Sequence, residues 1–327
     1  MQLIELADQP GKETCTGIFE FNKLKRRTNY KQGDCNMTLN IEQNGIKYET
    51  YTIDKDIEAY VKSMWSFEAT PNDGDYFIYR TYASICPTLF FVVNGKVEPV
   101  GQSITENLLL VGQTNRWFRY KASNDFKVFG ITFYPFALPV LFNISADKIT
   151  NQHLDRHAIS EFKTMAEFCR QTVQCEYNTG IINSLIKNSV SRCTFKNEII
   201  LNFIFQIASG QSEMQRITEK QVFMSQRNFE RKFKYFAGFT PKSFANLLRI
   251  ISSLQAVSWE NKKLVDVSYE QEYFDQSHFS NEFKRHIGFQ PKVFAKRSME
   301  EDYVWKNFVD FFQFLSICPP VLCRNKH

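Results

Sequence analysis

The sequence predicts a multidomain α+β chain: a β-rich, barrel-like N-terminal domain followed by an all-α C-terminal domain. Three observations predict it. Short aromatic and β-branched runs alternate with turn residues between positions 48 and 133. Apolar spacing changes to a helical period after about position 136. Near the C-terminus one pattern of phenylalanine, glycine and proline is used twice, fifty residues apart.

The strand candidates are 48–53, 76–82, 89–93, 108–111 and 128–133. They are rich in Val, Ile, Thr, Tyr and Phe, which fit a pleated, half-buried surface. Turn chemistry separates them at 71–74, at Asn94-Gly95 and at 123–125. Asn94-Gly95 between apolar runs predicts a hairpin, because such a turn needs positive φ at both positions. One helix is expected over 56–66, where Ile57, Tyr60, Val61, Met64 and Trp65 share a helical face. Helical spacing then covers about 136–143, 158–171, 179–190 and 197–208. The polar, cysteine-dotted stretch 172–196 is the expected hinge. A last stripe, Val304, Trp305, Phe308, Phe311, Phe312 and Leu315, is stopped by Pro319-Pro320 and is expected to pack on the body of the protein.

At 327 residues the chain exceeds the ~100–200 of one domain, and 32 phenylalanines supply aromatic cores. No basic-then-apolar leader opens the sequence and no run of ~18 apolar residues occurs. A cytoplasmic protein without membrane contact is therefore expected. Eight scattered cysteines form no CxxC pair, which fits reduced thiols better than a disulfide scaffold or zinc site. Charge is uneven. Residues 211–298 hold fifteen Lys and Arg against nine acids, leaving the remainder near neutral. A basic C-terminal part implies a polyanionic partner.

The repeat aligns Phe233, Lys234, Gly238, Phe239, Pro241, Lys242 and Phe244 with Phe283, Lys284, Gly288, Phe289, Pro291, Lys292 and Phe294; Phe229 and Phe279 extend it. In each copy two phenylalanines four apart share one helical face. Ser225 and Asp275 stand where an N-cap is wanted. Gly238 and Gly288 stand where a left-handed stop is wanted, and Pro241 and Pro291 where a helix restarts. A shorter helix is expected upstream of each, at 216–223 and 264–271. Short helix, turn, capped second helix is the helix-turn-helix plan.

Burying the phenylalanines fixes the opposite face. It carries Gln226, Arg227, Glu230, Arg231 and Lys234 in the first unit, and Gln276, Ser277, Ser280, Asn281 and Lys284 in the second. Arginine can fork onto guanine, glutamine and asparagine onto adenine, and glutamate can accept from cytosine. Lys234, Lys242, Lys284, Arg285 and Lys292 sit where phosphates would lie. A pair of helical hairpins that merely pack would explain neither the polar face nor the basic surplus.

Residues 225–244 and 273–294 resemble the AraC/XylS family of transcription regulators. The pattern runs Ser225-x-Arg227-x-Phe229-x-Arg231-x-Phe233 with Gly238 and Pro241, then Tyr273-Phe-Asp-Gln-Ser-His-Phe279 with Phe283, Gly288 and Pro291. The resemblance implies a bacterial regulator whose two motifs, joined by a long helix at about 241–259, enter successive major-groove segments. It implies base readers at Arg227, Glu230, Arg231, Gln276, Ser277, Ser280 and Asn281. Two positions depart from the pattern: Glu272 stands where the family commonly has glycine, and Asn281 where it often has arginine. These imply a second motif that positions more than it selects.

Residues 60–68, 86–90, 110–113 and 129–135 are similar to the β-rich sensor half of some family members. The domains expected are a sensor and dimerisation domain at 1–175, a connector at 176–196, the double helix-turn-helix at 197–298 and a helical extension at 299–327. Expected partners are promoter DNA, RNA polymerase, a small-molecule effector and a second copy of the chain. Neither cofactor nor metal is expected. His153-x-x-x-His157 lacks a completing ligand, and no GxSxG, P-loop or GxGxxG occurs. An enzyme is therefore not expected. The competing expectation is an interaction or effector-binding protein with weakened DNA binding.

Overall fold

The computed structural model describes residues 40–43, 46–69, 76–102, 107–123, 125–191, 198–208, 224–258 and 263–300. The expected helix at 216–223 and the stripe at 304–315 lie outside them.

The N-terminal domain holds two antiparallel sheets. The larger has the order β1 (Asn40–Gln43), β2 (Ile46–Tyr51), β3 (Val61–Ala69), β9 (Phe126–Phe133), β5 (Thr88–Asn94), β7 (Leu108–Val111), β10 (His153–Asp155). The smaller has the order β4 (Tyr76–Thr81), β8 (Phe118–Ser123), β6 (Val97–Pro99). Together they form an open, barrel-like sandwich. Side chains alternate across the larger sheet as the pleat requires. Trp65, Phe67, Val92, Leu109, Phe126 and Val128 pack toward the smaller sheet. Met64, Leu89, Phe91, Leu110, Phe129, Ile131 and Phe133 pack on the opposite face. Gly130 lies directly opposite Trp65 in the β3–β9 ladder. A Cβ there would overlap the indole, whose Nε1 donates to Thr132 Oγ1 at 3.2 Å.

Helices cover the other face of the large sheet: α1 (Ala137–Phe142), α2 (Ala146–Ile149), α3 (Arg156–Ser160), α4 (Lys163–Gln174) and α5 (Thr179–Ser191). Leu138, Leu141, Phe142, Met165, Phe168, Ile182 and Ile186 join the sheet in one core. The C-terminal part comprises α6 (Glu198–Ala208), α7 (Gln226–Ala237), α8 (Pro241–Ser258), α9 (Leu264–Glu270), α10 (Gln276–Ile287) and α11 (Pro291–Glu300). No helix among the described residues is long and apolar enough to cross a membrane.

Three local expectations change. The helix expected at 56–66 is a turn over 55–60 followed by strand β3. β3 pairs on both edges, with β2 and β9, and packs on both faces. Its apolar residues therefore show no clean alternation, and a continuous apolar run suits a buried strand as well as a helix. Asn94-Gly95 makes no hairpin. β5 pairs within the large sheet and β6 within the small one, so the chain turns a corner between sheets, with positive φ at Gly95 alone of the two. The connector expected at 176–196 contains α5, whose Ile182 and Ile186 are wholly buried in the N-terminal core.

Candidate nucleic-acid interface

The two repeats fold alike. Ser225 caps α7 by accepting from the Asn228 N–H at 3.4 Å, and Asp275 caps α10 by accepting from the His278 N–H at 2.6 Å. Each helix ends at a left-handed glycine, Gly238 with φ 78° and Gly288 with φ 86°. Each restarts at its proline into α8 or α11. Phe229 and Phe233, and their counterparts Phe279 and Phe283, are buried with tilted or edge-on rings 5.9 and 5.6 Å apart.

Helix α8 is shared between the two units. Phe244, Leu247, Leu248 and Ile251 pack on the first unit, whereas Ile250, Leu254, Ala256 and Val257 pack on the second. A polar chain reinforces the second junction. Arg249 donates to Asn246 at 2.6 Å, Asn246 donates to Glu282 at 2.6 Å, and the Arg249 guanidinium lies 5.1 Å from the Tyr273 ring centroid. Burial disfavours the Glu282 carboxylate, yet the Asn246 amide and the nearby His286, Arg285 and His278 hold its pKa below the usual range.

Arg227, Glu230, Arg231, Gln226 and Lys234 are exposed on α7, along the face opposite the phenylalanines. Gln226 donates to Glu230 at 3.2 Å and Arg231 to Asn228 at 2.9 Å. On α10, Ser277, Asn281, Lys284 and Arg285 are exposed, and Gln276 and Ser280 are half-buried. Arg285 lies 3.6 Å from Glu282. Lys242 and Lys292 are exposed just past the two turns. Arg231 also lines, with Lys232, Tyr235, Phe236, Pro139, Asn143 and Asp147, an open cleft of about 470 Å³ between α7 and the N-terminal domain.

The units differ electrostatically. Over 224–258 six Lys and Arg face one acid, Glu230; over 263–296 five bases face five acids. Glu272 carries φ 54° in the second turn, a left-handed conformation that costs a non-glycine residue ~1–2 kcal/mol. Beside it Phe274 is 95% and Tyr269 85% exposed.

The sequence carries no local signal for the way the N-terminal domain holds both units. Ala83, Ile85, Cys86, Tyr134, Phe136 and Val140 share one core with Phe229, Phe233, Phe236 and Phe239. Tyr235 donates to Asn143 at 3.2 Å and Thr150 to the Gly238 carbonyl at 3.0 Å. The Ala83 N–H donates to the His286 carbonyl at 3.4 Å, and His286 Nδ1 bonds the Asn115 carbonyl. Burial pushes the His286 pKa down, against the opposing pull of the Asn115 carbonyl and Glu282.

His153 and His157 do not converge. His153 Nε2 shares a hydrogen bond of 2.7 Å with the buried Tyr120 hydroxyl, its pKa lowered to about 4 by burial and by Arg116; His157 is exposed on α3. No group of three or more potential metal ligands occurs among the described residues.

Comparison with known proteins places two domains on the chain. Residues 219–297 match a helix-turn-helix domain family and residues 49–155 a domain family of unknown function. No curated protein matches. Among solved structures, ToxT from Vibrio cholerae O395 is 13% identical, covering 78% of this chain and 98% of that one, with a TM-score of 0.36. Unsaturated fatty acid-bound ToxT from Vibrio cholerae strain SCE256 is likewise 13% identical, covering 68% of this chain and 96% of that one, with a TM-score of 0.36. The two capped, glycine-stopped repeats behind the β-rich domain are thus a double helix-turn-helix region, within the residues 219–297 that match the helix-turn-helix family.

Proposed function

We propose that the chain binds specific promoter sequences by placing α7 and α10 in successive major-groove segments. The observation that carries this is the repeat itself. Two N-capped helices bury matching phenylalanines and turn polar faces outward, fully exposed on α7 and partly exposed on α10. Arg227, Glu230, Arg231 and Gln226 read bases from the first helix. Gln276, Ser277, Ser280 and Asn281 read from the second. Lys234, Lys242, Lys284, Arg285 and Lys292 hold phosphates. The basic first unit supplies most of the affinity, and the electroneutral second unit supplies register. The β-rich domain is the sensor, responsive to a small-molecule effector and able to pair with a second copy of the chain. RNA polymerase is the downstream partner.

The test is selection of bound sites from random duplexes, followed by titration at several salt concentrations. Affinity falls steeply as salt rises, because each phosphate contact releases counterions. Arg227→Ala with Arg231→Ala erases base preference over one half of the selected site and leaves the other half intact. Absence of any enriched sequence at ~50 mM salt refutes the reading. It would favour an interaction protein built around the exposed Tyr269 and Phe274.

A further inference from the structure

One five-residue stretch of the N-terminal domain, residues 113–117, touches the equivalent turn of both helix-turn-helix units. At its start, Gln113 is wholly buried. Its amide donates to the Ala146 carbonyl at 2.5 Å and to Thr150 Oγ1 at 2.9 Å, and Thr150 bonds the Gly238 carbonyl. A Cβ on Gly238 would overlap the Gln113 amide. At its middle, the Asn115 carbonyl meets His286, the penultimate residue of α10. At its end, Trp117 lies against Gly288, where an added Cβ would come within 2.8 Å of the indole. Arg80 stacks between the Trp117 and Phe289 rings, 4.2 and 3.9 Å from their centroids. Tyr82 meets Phe294 edge-on at 5.7 Å.

The stretch is itself braced. Thr114 pairs with Ser84 through two backbone bonds of 2.8 and 2.7 Å. Asn151 Oδ1 accepts from Thr114 Oγ1 at 2.9 Å and from the Asn115 N–H at 3.0 Å. The contacts to Gly238, His286 and Gly288 fall at the C-terminal ends of α7 and α10, and those to Phe289 and Phe294 fall beyond α10, in the turn and in α11. The exposed residues Arg227, Glu230, Ser277 and Asn281 stand one or more turns away from them. The grip therefore holds the helices without covering the face that would meet DNA.

We infer that residues 113–117, with Arg80, are a positioning element that fixes how far apart, and at what relative angle, the two recognition helices stand. Helix α8 joins the units at one side. The sensor stretch ties their far ends together, closing a frame whose geometry must match the half-site spacing. Trp117 and Arg80 are thus determinants of which operator spacing the protein accepts, although neither touches DNA. The inference rests on the DNA-reading function proposed above.

The experiment uses the full chain and a duplex bearing its selected site, with variants of that duplex in which one base pair is inserted between the half-sites. One base pair turns the second half-site by about 35° on a helix of 10–10.5 base pairs per turn. Wild type loses ~10-fold or more in affinity, the cost of one poorly met base contact. Trp117→Ala and Arg80→Met lose only about two- to three-fold on the inserted site, and Trp117→Phe, which keeps a ring under the guanidinium, restores wild-type discrimination. Hydrogen exchange at the Ala83 amide, bonded to the His286 carbonyl, reports independently that the grip has been released. Released variants that discriminate against the insertion as strongly as wild type overturn the inference while leaving the DNA-reading function standing. Failure of wild type to bind any duplex overturns that function, and this inference with it.

Discussion

Alanine at Gly288 and at Gly101 gives an internally controlled measure of how tightly the second helix-turn-helix unit is held. The two glycines have nearly the same backbone, φ 86° and 87°. Left-handed alanine costs ~1–2 kcal/mol, less the ~0.4–1 kcal/mol gained by stiffening the unfolded chain. Both substitutions should therefore lose about 1 kcal/mol from the backbone alone. Their surroundings differ. Nothing lies within 4 Å of a Cβ built on Gly101, whereas one on Gly288 meets the Trp117 ring at 2.8 Å and overlaps Arg80. Arg80 ends in a flexible side chain and can move; the indole is rigid, half-buried and stacked on Arg80, so it yields less easily. Overpacking of this kind adds ~1–3 kcal/mol, so Gly288→Ala should lose about 2–4 kcal/mol. Urea unfolding followed by tryptophan fluorescence reads both variants against wild type. Equal losses at the two positions would refute the placement of Trp117 against the second turn.

Other outcomes follow from the same contacts. Phe279→Ala empties a site that is wholly buried and should cost ~3–5 kcal/mol by urea unfolding. Ser225→Ala and Asp275→Ala each remove a helix cap and should cost ~1 kcal/mol, with loss of helical signal on heating as the check. The His153 pKa is lowered to about 4 in the folded chain, below the ordinary value of 6.5. Unfolding then takes up a proton at this residue between those values, so its contribution to stability is full above about pH 6.5 and is lost as pH falls toward 4. Stability profiles of wild type and His153→Phe should converge or cross over that window; parallel profiles would show that His153 is not buried neutral.

Local chemistry made the reader legible and left its attachment hidden. Caps, glycine stops and proline restarts act over four or five residues, so Ser225, Gly238, Pro241 and their counterparts could be placed from spacing alone. The strands between 76 and 133 were legible where one face is distinct from the other. β3 was not, because Met64 faces the helices while Trp65 faces the smaller sheet, and both are wholly buried. Asn94-Gly95 carries hairpin chemistry but serves a corner, since pairing is decided by the strands that β5 and β6 find elsewhere. The bond between His286 and Asn115 spans 171 residues, and no periodicity in the sequence announces a partner at that distance. Glu272 shows the opposite case: its departure from glycine was visible in the sequence, and its φ of 54° shows that the turn keeps the left-handed conformation regardless.

Selection of bound duplexes by the full chain, repeated with Arg227→Ala and Arg231→Ala together, tests the central claim most directly. The selected site should have two parts, with halves centred about one helical turn, ~10 base pairs, apart on one face of the DNA. The double variant should lose sequence preference in one half only. No enriched sequence at ~50 mM salt, or a site read equally well by the double variant, would contradict that claim.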